Sequence, residues 1–122
     1  MYEVAVTQHF DAAHYLRNYG GRCESLHGHR FQVSVELQAQ ELNEIGLIYD
    51  FTRLKAVLKD ILSRFDHVCL NDVPPFDEIN PSSENIARTI YEALSPSLAN
   101  EPVTLKCVRV WESPDAWATY YP

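Results

Sequence analysis

The chain has 122 residues, of which 46% are apolar and 22% charged, the balance of a soluble globular protein. Folding at this length buries roughly two-thirds of the surface, so the chain needs neither a metal nor disulfides merely to hold a core. Seventeen acidic against ten basic side chains give a net charge of −7, which argues against nucleic acid as a partner, and three widely spaced cysteines argue against a secreted disulfide framework.

The N-terminal stretch "MYEVAVTQHF" lacks the basic and apolar regions of a secretory signal. No apolar run approaches membrane-spanning length, so a cytoplasmic protein without a membrane partner is expected. Residues 2–10 alternate, with Tyr2, Val4, Val6 and Phe10 on one face, which predicts a strand. Residues 30–39 alternate again, Phe31, Val33, Val35, Leu37 and Ala39 against Arg30, Gln32, Ser34, Glu36 and Gln38. The polar, Gly-Gly-containing stretch 15–26 between them is too long for a tight hairpin, and such loops are often functional.

After "ELNEIG" the period changes to that of a helix, with Leu54, Val57, Leu58, Ile61, Leu62 and Phe65 facing inward and Asp50 as N-cap. "NDVPPFDEINP" is an irregular connection. A second helix starts at "SSEN", capped by Ser82 or Ser83, buries Ile86, Ala87, Ile90, Tyr91 and Leu94, and stops at "SPSLANEP". Residues 103–111 alternate, Val103, Leu105 and Cys107 against Thr104 and Lys106, and "ESPDA" turns into a last strand over 116–121. The order strand, strand, helix, helix, strand, strand implies one α+β domain over 1–122, an antiparallel sheet with helices on one face.

The chemistry gathers in "CESLHGH", residues 23–29. His27 and His29 are two apart at the start of a strand, so both rings project to one side, and His14 ends the neighbouring strand. Three neutral imidazoles suit Zn2+ and leave the fourth position open, the pattern of a catalytic metal. Cys23 admits two roles: a fourth ligand, which makes the site a structural zinc module without turnover, or a thiol that works beside the metal. Cys69 and Cys107 sit in apolar surroundings and read as inert. Asp66-His67 ends the first helix, where it is either a proton relay or a histidine favoured by the helix dipole. Glu112 follows a strand at a turn, where a solvated carboxylate is the ordinary expectation, and Asp72, Asp77 and His9 carry no assigned role. Arg17, Arg22 and Arg30 flank the histidine stretch and are the bases available to an anionic ligand.

"FDAAH" at 10–14, "CESLHGH" at 23–29, "FDHVCLND" at 65–72 and "NPSSENIA" at 80–87 resemble, in order, the signatures of the 6-pyruvoyl-tetrahydropterin synthase family. "GLIYDFTRLK" at 46–55 and "VRVWESPDAWATYY" at 108–121 fit as well, so the resemblance covers nearly the whole chain. It is strongest to the short bacterial branch that forms 6-carboxy-5,6,7,8-tetrahydropterin on the route to queuosine. The resemblance implies the tunnelling fold, a four-stranded antiparallel sheet with two helices on its outer face. It also implies a homohexamer, a dimer of trimers with active sites between subunits.

Carried over position by position, His14, His27 and His29 match the zinc ligands and Cys23 the catalytic base, with Asp66 and His67 as its proton-transfer partners. Glu112 matches the carboxylate that anchors the pterin ring, and Ser83 and Glu84 match residues lining the pterin pocket. The implied substrate is 7,8-dihydroneopterin triphosphate. The implied products are 6-carboxytetrahydropterin, acetaldehyde and triphosphate, with Arg17 and Arg22 as candidates to neutralise the triphosphate. A folate-route branch carries Glu three residues before "HGH" and releases 6-hydroxymethyl-dihydropterin; this chain has Glu24 there in addition to Cys23. A dual activity is therefore the alternative reading, alongside that branch's activity alone and 6-pyruvoyl-tetrahydropterin synthesis.

Overall fold

The computed structural model describes residues 1–21 and 24–122; Arg22 and Cys23 lie outside the described residues. Strands β1 (Tyr2–His14) and β2 (His27–Ala39) form the centre of the sheet as one continuous antiparallel ladder, from Tyr2 opposite Ala39 to His14 opposite His27. β4 (Thr104–Ser113) pairs with β2, and β5 (Ala116–Tyr120) pairs with β4 at the outer edge. A fifth, two-residue strand absent from the sequence reading, β3 (Val68–Cys69), runs parallel to β1 beside Ala12 and Ala13, giving the order β3-β1-β2-β4-β5. It has no alternating pattern because two residues are too few to show one.

Helix α1 (Phe51–Leu62) begins where Asp50 accepts from the Thr52 N–H at 2.9 Å, and α2 (Ser83–Leu98) begins where Ser82, rather than Ser83, accepts from Asn85 N–H at 3.2 Å. α1 lies across β1, and α2 across β4 and β5. Their inward residues, Leu54, Leu58, Ile61 and Leu62 from α1 and Ile86, Ala87, Ile90 and Leu94 from α2, join Val6, Phe10, Phe31, Val33, Val35 and Leu37 in one core. The opposite sheet face is polar, with Glu3, Thr7, His9 and Asp11 exposed along β1.

Three local details depart from the expected pattern. α1 stops at Leu62, so Asp66 and His67 lie beyond the helix in a run of turns, with His67 in the left-handed region at φ 59°. α2 passes through "SPSL" and carries Pro96 in its last turns, where the missing N–H costs one bond near a terminus. A bulge between Glu36 and Leu37 leaves Lys106 without an opposite residue, so Leu105 faces Leu37 in the core while Cys107 faces Glu36. That extra residue moves Cys107 off the face predicted for it, since one inserted residue inverts a strand's alternation.

Candidate metal centre and adjoining cleft

The core-facing register of β1 and β2 ends in histidine rather than hydrophobe. Phe10 stacks on Phe31 at 4.9 Å, and the inward positions that follow are Ala12 and then His14 on β1, opposite His29 and His27 on β2. Their rings pack together with centroids 4.6 to 5.2 Å apart, and Phe31 backs His14 and His29 edge-on. Glu112, at the β4 end beside the turn to β5, completes the group: its Oε1 lies 2.8 Å from His29 Nε2 and 3.9 Å from Nε2 of both His14 and His27. The sequence suggested a solvated carboxylate here; the fold turns it toward the imidazoles and leaves it one-third exposed.

The chemistry of these donors fits a divalent metal. His14 Nδ1 donates to the Pro81 carbonyl at 2.8 Å and His27 Nδ1 donates to the Ser25 carbonyl at 2.6 Å. A carbonyl only accepts, so each ring carries its proton on Nδ1 and presents a lone pair from Nε2, the arrangement usual in metal-binding histidines. Among the described residues, the buried His14 Nε2 and His29 Nε2 have no hydrogen-bond partner, although Glu112 Oε1 approaches His29 Nε2 at 2.8 Å. Burial holds His14 below the usual imidazole range, which keeps it neutral as a ligand must be. All four donor atoms lie within 4.8 Å of one another, as atoms around a single ion do.

Glu112 also lines a cleft of about 230 Å³ with Ser83, Glu84, Ala116, Trp117 and Ala118. Ser83 is buried at the start of α2, whereas Glu84 is exposed in that helix's first turn. The residues singled out as pocket-lining from "SSEN" and the carboxylate at 112 therefore share one hollow beside the imidazoles. A larger groove of about 620 Å³, around residues 38–43 and 101–104, lies at the far end of the β1–β2 ladder and contains none of these groups.

Asp66 and His67 form a separate cluster with Asp11. Asp66 Oδ1 accepts from the Asp11 N–H at 2.9 Å and meets His67 Nδ1 at 3.0 Å, while His67 N–H donates to the Asp11 carbonyl at 2.6 Å. The Asp11 amide, assisted by His67, holds the Asp66 carboxyl below its usual range. Adjacent side chains on a helix do not meet; these do because they lie in a turn. The pair is not part of the imidazole group.

Of the remaining candidates, Glu24 is exposed, and its Oε1 accepts from the Tyr19 N–H at 2.7 Å, closing the loop on itself. Cys23 and Arg22 lie outside the described residues. Arg17 is committed elsewhere: its guanidinium donates to the carbonyls of Phe76 and Ile79, so it pins the connection before α2. Sequence reasoning missed Asn71 and Asn80, which bond the chain just after His14; nothing in an irregular, proline-rich stretch signals which amides turn inward.

The sequence matches the family profile of 6-pyruvoyl tetrahydropterin synthase over residues 3–122. The chain belongs to the 6-pyruvoyl tetrahydropterin synthase family. It is 32% identical to a 6-carboxy-5,6,7,8-tetrahydropterin synthase of Bacillus subtilis over 131 residues, covering 99% of this chain and 86% of that one. It is 36% identical to a dihydroneopterin monophosphate aldolase of Pyrococcus furiosus over 103 residues, covering 84% and 82%. The structure of a Caenorhabditis elegans 6-pyruvoyl tetrahydropterin synthase superposes with a TM-score of 0.89 at 28% identity, covering 99% of this chain and 95% of that one. The fold is thus the tunnelling fold of this family, whose enzymes are lyases of pterin metabolism, with the short β3 added at one edge of the four antiparallel strands.

Proposed function

We propose that the protein converts 7,8-dihydroneopterin triphosphate and water to 6-carboxy-5,6,7,8-tetrahydropterin, acetaldehyde and triphosphate, with Zn2+ held by His14, His27 and His29, on the queuosine route. The observation that carries this reading is the convergence of three Nε2 atoms and the Glu112 carboxylate at the rim of the cleft bearing Ser83 and Glu84. Bound zinc supplies Lewis acidity that lowers the pKa of the substrate's side-chain hydroxyls. Glu112 accepts two parallel hydrogen bonds from the pterin 2-amino group and the adjacent ring N–H, fixing the ring. Ser83 contributes a hydroxyl to the wall.

Cys23 takes a proton from the side chain, and His67 passes one at Nε2 while its Nδ1 proton is held by Asp66. The Asp66–His67 cluster is a different group from the imidazoles of its own chain; in the proposed hexamer, built as two trimers with sites between subunits, a neighbouring protomer supplies it. Both sheet edges remain available for such closure: β5 has no outer partner among the described strands, and β1 has one along only two residues.

Incubating zinc-loaded protein with 7,8-dihydroneopterin triphosphate and identifying products by mass spectrometry tests the reading. Carboxytetrahydropterin with acetaldehyde is expected, and no turnover refutes it. A second reading, cleavage to 6-hydroxymethyl-dihydropterin, is favoured by Glu24 three residues before His27 and by the likeness to the archaeal aldolase. Under it, Glu24→Ala abolishes the hydroxymethyl product and spares the carboxy product.

A further inference from the structure

Beyond His14 the chain leaves the sheet, because the β1–β2 ladder ends at the His14–His27 pair. A segment in that position has backbone groups without strand partners, yet Tyr15 and Arg17 are half-buried. Two asparagine side chains supply what is missing. Asn71 Oδ1 accepts from Tyr15 N–H at 3.0 Å while its Nδ2 donates to the Tyr15 carbonyl at 3.0 Å. Asn80 repeats the pattern on Arg17, accepting from its N–H at 2.8 Å and donating to its carbonyl at 3.0 Å.

A primary amide carries a donor and an acceptor side by side, as a peptide group does, so each asparagine acts as a one-residue strand. The two clamps fall two residues apart, on Tyr15 and on Arg17, where the chain begins to turn. Asn71 continues the parallel pairing that β3 begins at Ala12 and Ala13, and its side chain is almost wholly buried.

The second clamp bears on the imidazole group. Asn80 directly precedes Pro81, whose carbonyl accepts the His14 Nδ1 proton, and Asn85 Nδ2 holds the Asn80 carbonyl at 2.9 Å from the first turn of α2. Position 80 is therefore fixed on both sides, to the segment that follows His14 and to the helix that carries Ser83. We propose that Asn80, braced by Asn71, is a positioning residue. It sets the Pro81 carbonyl against His14 and so fixes that ring's tautomer and aim toward a bound metal. The inference rests on the metal reading given above.

The experiment compares the protein with Asn80→Asp, a near-isostere that keeps the acceptor but turns a lone pair toward the Arg17 carbonyl. Zinc affinity is read by competition with a chromophoric chelator, and the site geometry by the visible absorption of the cobalt(II)-loaded protein. The control is Asn43→Asp, where Oδ1 only accepts, from the N–H groups of Ile45 and Leu47, so the change leaves both bonds intact. Loss of a partner behind a ligand histidine weakens metal binding by about 10- to 100-fold. That loss and shifted cobalt bands are expected for Asn80→Asp, with neither in the control.

A lowered melting temperature with unchanged zinc affinity and cobalt bands overturns the proposal and leaves Asn80 a purely structural residue. Should the variant fail to fold, amide hydrogen exchange in the native protein tests the clamps on which the proposal stands, and their absence overturns it. Tyr15 and Arg17 exchange slowly and Leu16 and Asn18 fast if the clamps exist; four equal rates refute them. If the native protein binds neither zinc nor cobalt, the metal reading and Asn80's role in it fall, while the exchange pattern reports on the clamps alone.

Discussion

Glu112 stands between two tasks, and replacing it by glutamine separates them. Its Oε1 is 2.8 Å from one imidazole nitrogen and 3.9 Å from two others, but it also lines the cleft with Ser83 and Glu84. In its proposed role as pterin anchor it accepts two bonds, each worth about 1.5–3 kcal/mol when the acceptor is charged. Glutamine keeps one neutral acceptor and turns its NH2 group toward a ring donor. Because the carboxylate is one-third exposed, solvent screens part of this gain, and a loss of about 2–4 kcal/mol is the working figure. At 1.4 kcal/mol per tenfold, kcat/KM falls by about 30- to 700-fold. The loss sits mainly in KM, since the ring is bound alike in ground and transition states. Steady-state product formation by zinc-replete Glu112→Gln, with zinc affinity measured alongside, is the assay. Zinc affinity weakened more than about tenfold with KM unchanged refutes the reasoning, since it identifies Glu112 as a fourth ligand.

The remaining predictions concern the frame around the site. Phe31 is fully buried, stacks on Phe10 and backs two of the imidazoles, so Phe31→Ala costs about 3–5 kcal/mol. Denaturant unfolding at fixed protein concentration reads this, and a change below about 1 kcal/mol contradicts it. Chelation leaves the circular dichroism of both helices intact, because the core cluster under them is apolar and contains no metal donor, and lowers the melting temperature only by mass action; unfolding on chelation instead establishes a structural module. Burial, then the bond to Glu36 Oε2 at 2.9 Å, push the Cys107 thiol from 9.0 up to about 12. The protonated thiol is thus favoured in the folded state, its contribution to stability is complete below about pH 9, and it is lost as pH rises toward 12. Iodoacetamide at pH 8 accordingly labels Cys107 only after denaturation; equal labelling of the native protein refutes this.

Much of this protein is local in origin. The alternation of residues 30–39 and the helical spacing of Leu54, Leu58 and Ile61 depend only on which side chains avoid water, so periodicity located β2 and α1. The imidazole trio was legible for the same reason, since two histidines two apart on a strand must share a face and His14 sits at the end of its neighbour. Tertiary structure decided the rest, because it depends on pairings between residues distant in the chain. The Glu36/Leu37 bulge arises only when β2 and β4 pair, and that pairing, not the pattern of β4, sets Cys107 against Glu36. Glu112 reaches the imidazoles because β4 lies beside β2, and Asp66 meets His67 because α1 ends at Leu62 and the chain then turns onto Asp11. Asn71 and Asn80 find their partners 56 and 63 residues away, at backbone groups that exist for every residue type. A contact made to backbone leaves no mark on the partner's identity, so no pattern in the sequence announces it.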